Sequence, residues 1–377
     1  MDHRAALTEQ CKTPIAETSP EQHGSARRAA PPGDAVPRAC EQAIFTSQRT
    51  PMGQGYRVIA ASPGVHAADK AVLTRRAPSH GALLGEGEEA SGLLAFPLDE
   101  RRYCVGASRF AGKEYSGRGG ERVWTHLALL DEETFAAFGW NAVRVHAALG
   151  AQYSLMANNK LPTSLPRLMA PAWSYSTEPF CSERNDALRR LLHPVLDGGC
   201  WIVQGWGADW HVLEWALDAA PAAARRRLAL SCGVSYSRER QVQMAVIDAP
   251  RSAFAKSVQG HAIHWCNLAE DEPLGPTPFD AWLTYVQVRA IQGRLPGAVR
   301  LAGRIEQEFS AASLARVADL SLDADIAARV EGEELDALRE KYGNFAAESP
   351  LEEELLGNVQ DLLKPAENET GEEAPAQ

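Results

Sequence analysis

His126 is one of ten histidines in this 377-residue chain, a side-chain type that titrates near neutral pH and can abstract protons as a general base. It closes the run Glu114-Tyr-Ser-Gly-Arg-Gly-Gly-Glu-Arg-Val-Trp-Thr-His126, in which Glu114, Tyr115, Arg118 and Thr125 are the polar companions of a possible acid–base site. The competing reading is a structural histidine, because His126 lies inside the β-prone stretch Val123–Leu130 and a lone histidine specifies little. Cys104 is a conceivable nucleophile for it, but Tyr103 and Val105 offer nothing that would activate a thiolate. The glycines between Gly112 and Gly120 invite comparison with a phosphate loop. Such a loop needs its glycines between a strand and a helix N-terminus, and these lead into a strand, so a turn that positions Arg118 is the better reading.

Three further constellations are weaker. Ala245-Val-Ile-Asp248 ends a strand on an acid, as a magnesium-holding strand does, but no Gly-Lys-Ser/Thr follows an earlier strand, so an ordinary strand end explains it. His261-x-x-His264-x-Cys266 groups metal-ligand types without the fourth ligand or second pair that a zinc site uses, so no metal is assigned. Trp201, Trp206, Trp210 and Trp215 fit a core or an interdomain surface; exposed, they would mark a protein-binding hot spot. No cofactor is expected.

The elements that would position these residues can be read from hydropathy periodicity and turn residues. Ala43–Ser47 and Tyr56–Ala60 read as strands separated by the turn-rich Pro51–Gly55, and a short helix is expected over Ala67–Arg76. Gly92–Pro97 and Arg102–Gly106 read as a hairpin, and Asp131–Phe138 starts like a capped helix. Beyond these, Glu183–Leu196 and Trp210–Ala219 are helical, while Trp201–Gln204, Leu228–Cys232 and Val242–Ile247 are short strands. Helices are expected at 281–291, 298–309, 314–320 and 333–341. Leu351, Leu355, Leu356, Val359, Leu362 and Leu363 form an apolar stripe on an acidic helix, suited to packing on the chain's own core or to partner docking. The expected fold class is α+β. Residues 1–39 form a disordered segment, 40–150 a strand-rich N-terminal domain, 151–180 a Pro-rich linker and 181–275 a small α/β middle domain. A helical extension (276–347) and an acidic helix and tail (348–377) complete the chain.

Hydrophobic residues at 45% and charged residues at 23% are globular values. A net charge of −11 argues against nucleic-acid binding over the whole surface. From Glu348 onward nine acids face Lys364 alone, so the tail holds most of that charge. No apolar run approaches the roughly 20 residues of a bilayer span, and the polar N-terminus is unlike a signal peptide. Seven dispersed cysteines without a Cys-x-x-Cys pair suit a reducing compartment, so a cytoplasmic protein is expected.

Glu41-Gln-Ala-Ile-Phe-Thr-Ser-Gln-Arg-Thr-Pro-Met-Gly-Gln-Gly-Tyr-Arg57 and the Glu114–His126 run resemble the type-2 N-terminal domain of the bacterial GTPase-associated protein family. Glu183–Pro250 looks like the middle domain of the same family. The resemblance implies a component of a GTPase-centred bacterial conflict system, acting with a GTPase or another protein of that system. It brings no established catalytic residues; Tyr56, Glu114, Arg118 and His126 are candidates because they fall in the matched blocks. The expected role is a non-enzymatic adaptor. The alternatives are a hydrolase or nucleotide-processing enzyme centred on His126 and Arg118, or a modulator of the partner's GTP hydrolysis through Arg118. Oligomeric state stays open.

Overall fold

The structure is a computed structural model that describes residues 36–50, 53–85, 90–113, 121–153, 160–161, 167–170, 178–205, 209–249, 262–269 and 274–364. Expectations for residues 1–35, Glu114, Tyr115, Arg118, Trp206, His261 and the tail after Lys364 lie outside these residues.

Strands β1 (Val36–Arg38), β2 (Glu41–Thr50) and β3 (Gly53–Ala61) come first, followed by helix α1 (Ala67–Arg76). The hairpin β4 (Ser91–Pro97) and β5 (Arg102–Lys113) leads to β6 (Glu121–Asp131), α2 (Glu132–Ala137), α3 (Ala142–Gly150) and β7 (Leu168–Ala170). Next come α4 (Ser182–Asp197), β8 (Trp201–Gln204), α5 (Trp210–Asp218) and α6 (Ala222–Arg227). Short strands β9 (Leu230–Cys232), β10 (Met244–Ile247) and β11 (His264–Asn267) precede the last helices. These are α7 (Asp280–Ile291), α8 (Leu295–Gly303), α9 (Ala311–Ala327), α10 (Glu333–Gly343) and α11 (Pro350–Leu363). The fold class is α+β.

One nine-stranded sheet runs in the order β11-β8-β10-β9-β4-β5-β6-β2-β3. From β4 to β3 neighbouring strands are antiparallel, as hairpins and short returns allow; from β11 to β9 they are parallel, as intervening helices allow. The halves meet where β9 pairs antiparallel with β4, in the register Leu93↔Cys232, Leu94↔Ser231, Ala95↔Leu230. Residues 40–150 and 181–275 therefore share a sheet. Glycines allow the approach at this seam. Gly233 has φ +66°, and a Cβ on it would lie 2.5 Å from the Ser91 carbonyl oxygen; one on Gly92 would lie 2.6 Å from Val234 Cγ2.

Both faces of the sheet are covered, which is why β6 reads as an almost unbroken apolar run rather than an alternation. α1 packs with Ala43, Phe45, Leu94, Phe96, Cys104, Leu127 and Leu129 on one face. Helices α2, α3, α4, α5 and α7 cover the other, over Leu93, Ala95, Val105, Ala107 and Ala128.

Several elements are longer than composition suggests. β2 and β3 pair as far as Thr50↔Gly53, so Gly53–Gly55 belong to a strand, not to the expected turn; only Pro51 and Met52 lie between the strands. Pro296 in the first turn starts α8 at Leu295, earlier than the expected Ala298, but the helix stops at Gly303 and not at the expected Phe309; a capping box of Ser310 with Ser313 starts α9 at Ala311, and it runs to Ala327, past the expected Leu320. β7 lies in the Pro-rich stretch and pairs with β1, and β11 is a strand that was not expected. Of the α11 stripe, Leu356, Val359 and Leu363 are buried against Leu320, Leu338 and Tyr342, so it packs chiefly on the chain's own core.

Candidate functional site

β6 brings His126 into the middle of the sheet, opposite Ile44 on β2 and Ala107 on β5. Its ring is 1% exposed. Nε2 lies 2.9 Å from Gln42 Oε1, so the amide oxygen selects the tautomer in which Nε2–H donates. Nδ1 is buried with no hydrogen-bond partner among the described residues, and so is Nε1 of Trp124, whose indole centroid is 6.0 Å from the imidazole. Tyr153 meets Trp124 edge-on at 5.1 Å, and the Arg109 guanidinium lies 4.7 Å from the centre of the Tyr153 ring. Burial pushes the His126 pKa down to about 4, so the ring is neutral at pH 7.

The strand pairing separates the other candidates from His126. Residues directly opposite in an antiparallel pair point to the same face, and successive residues alternate. Cys104 is three positions from Ala107 on β5 and so faces away from His126; burial also raises its thiol pKa, which opposes activation. A Cys104–His126 pair is thereby excluded. Tyr56 opposite Ser47 is likewise on the face away from His126, its ring 5.7 Å from Phe45, and its hydroxyl accepts the Val123 N–H at 2.9 Å. Thr125, next along the strand, points with Ser108 to that same far face, their hydroxyls 2.9 Å apart. Glu114 and Arg118 lie outside the described residues.

His264 is exposed and stacks at 4.7 Å on Trp201, whereas Cys266 is buried; among the described residues no three metal-ligand types converge. Asp248 follows β10 directly and is exposed. Trp201, Trp210 and Trp215 lie partly buried against the main core, with Trp210 stacked 4.9 Å from His146 and Trp215 4.6 Å from Phe180.

A second polar cluster, largely buried, joins the two halves of the chain. α3 contributes Asn141 and Arg144; α5 contributes Glu214 and Asp218; α6 contributes Arg225. Arg144 Nε donates to Glu214 Oε1 at 2.7 Å, and its Nη2 donates to Asp218. Asn141 Nδ2 donates to Asp218 Oδ1 at 2.8 Å while its Oδ1 caps α3 by accepting the Val143 N–H at 3.0 Å. Arg225 Nη1 lies 3.7 Å from Asp218 Oδ1 and donates to the Gly139 carbonyl at 2.5 Å. Asp218 is fully buried; burial pushes its pKa up to about 6 against the pull of Arg144, Asn141 and Arg225. Residue-by-residue sequence reading missed this group. Its signals were an acid closing the apolar run Trp215-Ala-Leu-Asp218 and an arginine set within Ala142-Val-Arg-Val.

These observations define an α+β protein in which a strand-rich half and a parallel half share one sheet and one buried ionic cluster. Residues 39–171, about a third of the chain, match the family described as GTPase-associated protein 1, N-terminal domain type 2. No curated protein matches the chain. No described helix is long and apolar enough to cross a membrane.

Proposed function

We propose that the protein is an adaptor that acts with a GTPase, in the setting of a bacterial conflict system, and that its catalytic contribution, if the complex has one, resides in the partner. The observation that carries the reading is the family match of residues 39–171, whose description is that of a protein associated with a GTPase. The build of the molecule supports it. The matched segment is fastened to residues 181–275 by a shared sheet and by the Arg144–Asp218–Arg225 cluster, which suits a rigid platform. His126, the best acid–base candidate, is buried on Gln42, and Tyr56 stands on the opposite face. In this reading residues 181–275 serve as the family's middle domain.

The test is co-purification with a candidate GTPase from the same organism, in the presence of GDP, of a non-hydrolysable GTP analogue and of no nucleotide. Co-elution that depends on the nucleotide is expected. Absence of association in all three states would refute the proposal.

A further inference from the structure

The helical C-terminal part carries a feature that the adaptor reading leaves unused. Between α7 and α8 on one side and α9 and α11 on the other lies a cleft of about 780 Å³. Its lining includes four arginines, Arg289, Arg294, Arg300 and Arg304, against a single carboxylate, Asp325. The rest of the chain is acidic, with a net charge of −11 overall, so this concentration of positive charge is local.

The arginines differ in how they are held. Arg289, the most buried, donates to Asp325 and, from Nη2, to the Ser321 carbonyl at 3.1 Å. Arg294 shares the same Asp325 at 3.2 Å, so one carboxylate serves two guanidinium groups. Arg304 is forked onto Glu354 at the rim. Arg300 is exposed and has no ion pair or hydrogen-bond partner among the described residues. Two acids, Asp325 in the cleft and Glu354 at its rim, thus serve four guanidinium groups, and the like charges left over repel one another. The cleft therefore keeps excess positive charge with free guanidinium edges. Pro296, Leu301 and Leu355 give it an apolar wall.

We propose that this cleft binds a phosphate-bearing small molecule of nucleotide size, its phosphates taken by Arg294 and Arg300 and its flat, less polar part laid against Pro296, Leu301 and Leu355. The volume is that of small-molecule sites, about 300–1,000 Å³. Guanidinium forks match phosphate oxygens in pairs, which a lysine's point charge does not. An acidic peptide is the less favoured occupant, because the arginines converge on one cleft and do not line an extended stripe. The inference is independent of the GTPase partnership and would survive its failure.

Isothermal titration of the full chain with pyrophosphate, ATP and GTP at low salt tests it. Saturable binding of at least one is expected, weakening by about tenfold or more in Arg300→Ala and in Arg294→Ala. Binding should also fall as salt is raised. Arg75→Ala, an exposed arginine on the distant α1, should leave binding unchanged. Both cleft variants alter exposed side chains, and thermal melts verify that they fold. The proposal is overturned by absence of saturable binding to all three compounds, by equal affinity in the Arg294→Ala/Arg300→Ala double variant, or by uptake of a polyglutamate peptide where no phosphate compound binds.

Discussion

Replacing Asp218 by alanine is the perturbation that most directly tests how the two halves are held together. The carboxylate is fully buried and faces two guanidinium groups that are themselves almost out of water, with side-chain exposures of 4% each. Its removal takes from Arg144 the more buried of two carboxylate partners, Glu214 staying at 2.7 Å, and takes from Arg225 the carboxylate 3.7 Å from its Nη1. Breaking one partner of a buried ion pair costs about 3–5 kcal/mol, because a desolvated charge is left uncompensated. Set against a total stability of about 5–15 kcal/mol, that loss is large enough to shift a urea midpoint substantially. Asp218→Asn keeps the shape and the Asn141 contact while removing the charge; its expected cost is about 1–3 kcal/mol, the range for an imperfectly satisfied buried polar group. Equilibrium urea unfolding followed by tryptophan fluorescence at pH 7 measures both. Trp140, Trp210 and Trp215 all lie on the main core that the cluster borders. An Asp218→Ala variant within 1 kcal/mol of the parent would refute the claim that this cluster fastens the halves.

Other outcomes follow from the same geometry. His126 has a folded-state pKa near 4 against an ordinary value of 6.5, so the unfolded chain takes up the proton first and stability falls as pH drops from 6.5 to about 4, by up to about 3 kcal/mol from this group. His126→Gln should flatten that part of the stability profile, as measured by urea unfolding at intervals between pH 7 and 4. Gly233→Ala should cost at least about 2 kcal/mol, since it combines an unfavourable φ with a Cβ pressed on a backbone oxygen; thermal melting checks it. Tyr56→Phe should cost about 1 kcal/mol, because the Val123 N–H loses its acceptor.

Local signals were strong where one segment determines its own shape. α1 occupies the expected Ala67–Arg76, and β4 and β5 form the expected hairpin, because turn residues and periodicity act over a few positions. Asp131 caps α2 as its position suggested, accepting the Thr134 N–H at 2.8 Å. What depends on distant partners was not legible. Nothing in Gly92–Pro97 marks Leu230–Cys232 as its neighbour, and nothing in β11 competes with the exposed-looking His264 and Asn267 to announce a strand. The candidate site shows the same division. The burial of His126 could be suspected from its apolar strand, but its partner Gln42 comes from another strand, and the opposite facing of Tyr56 follows from a register that composition does not encode. Nothing in the sequence links Asp218 to Arg144, because their partnership exists only after α3 and α5 pack.

The β4–β9 seam also sets an order of events during synthesis. Leu93-Leu94-Ala95-Phe96 leaves the ribosome long before Leu230, and at translation rates of about 5–20 residues per second the delay is on the order of ten seconds. Through that interval the nascent N-terminal half presents an unpaired, strongly apolar strand edge, the kind of surface that recruits other chains. Closure of the sheet by the second half is thus also protection of the first. A fragment ending at residue 171 should therefore aggregate where the longer chain does not, for want of the three residues that seal its edge.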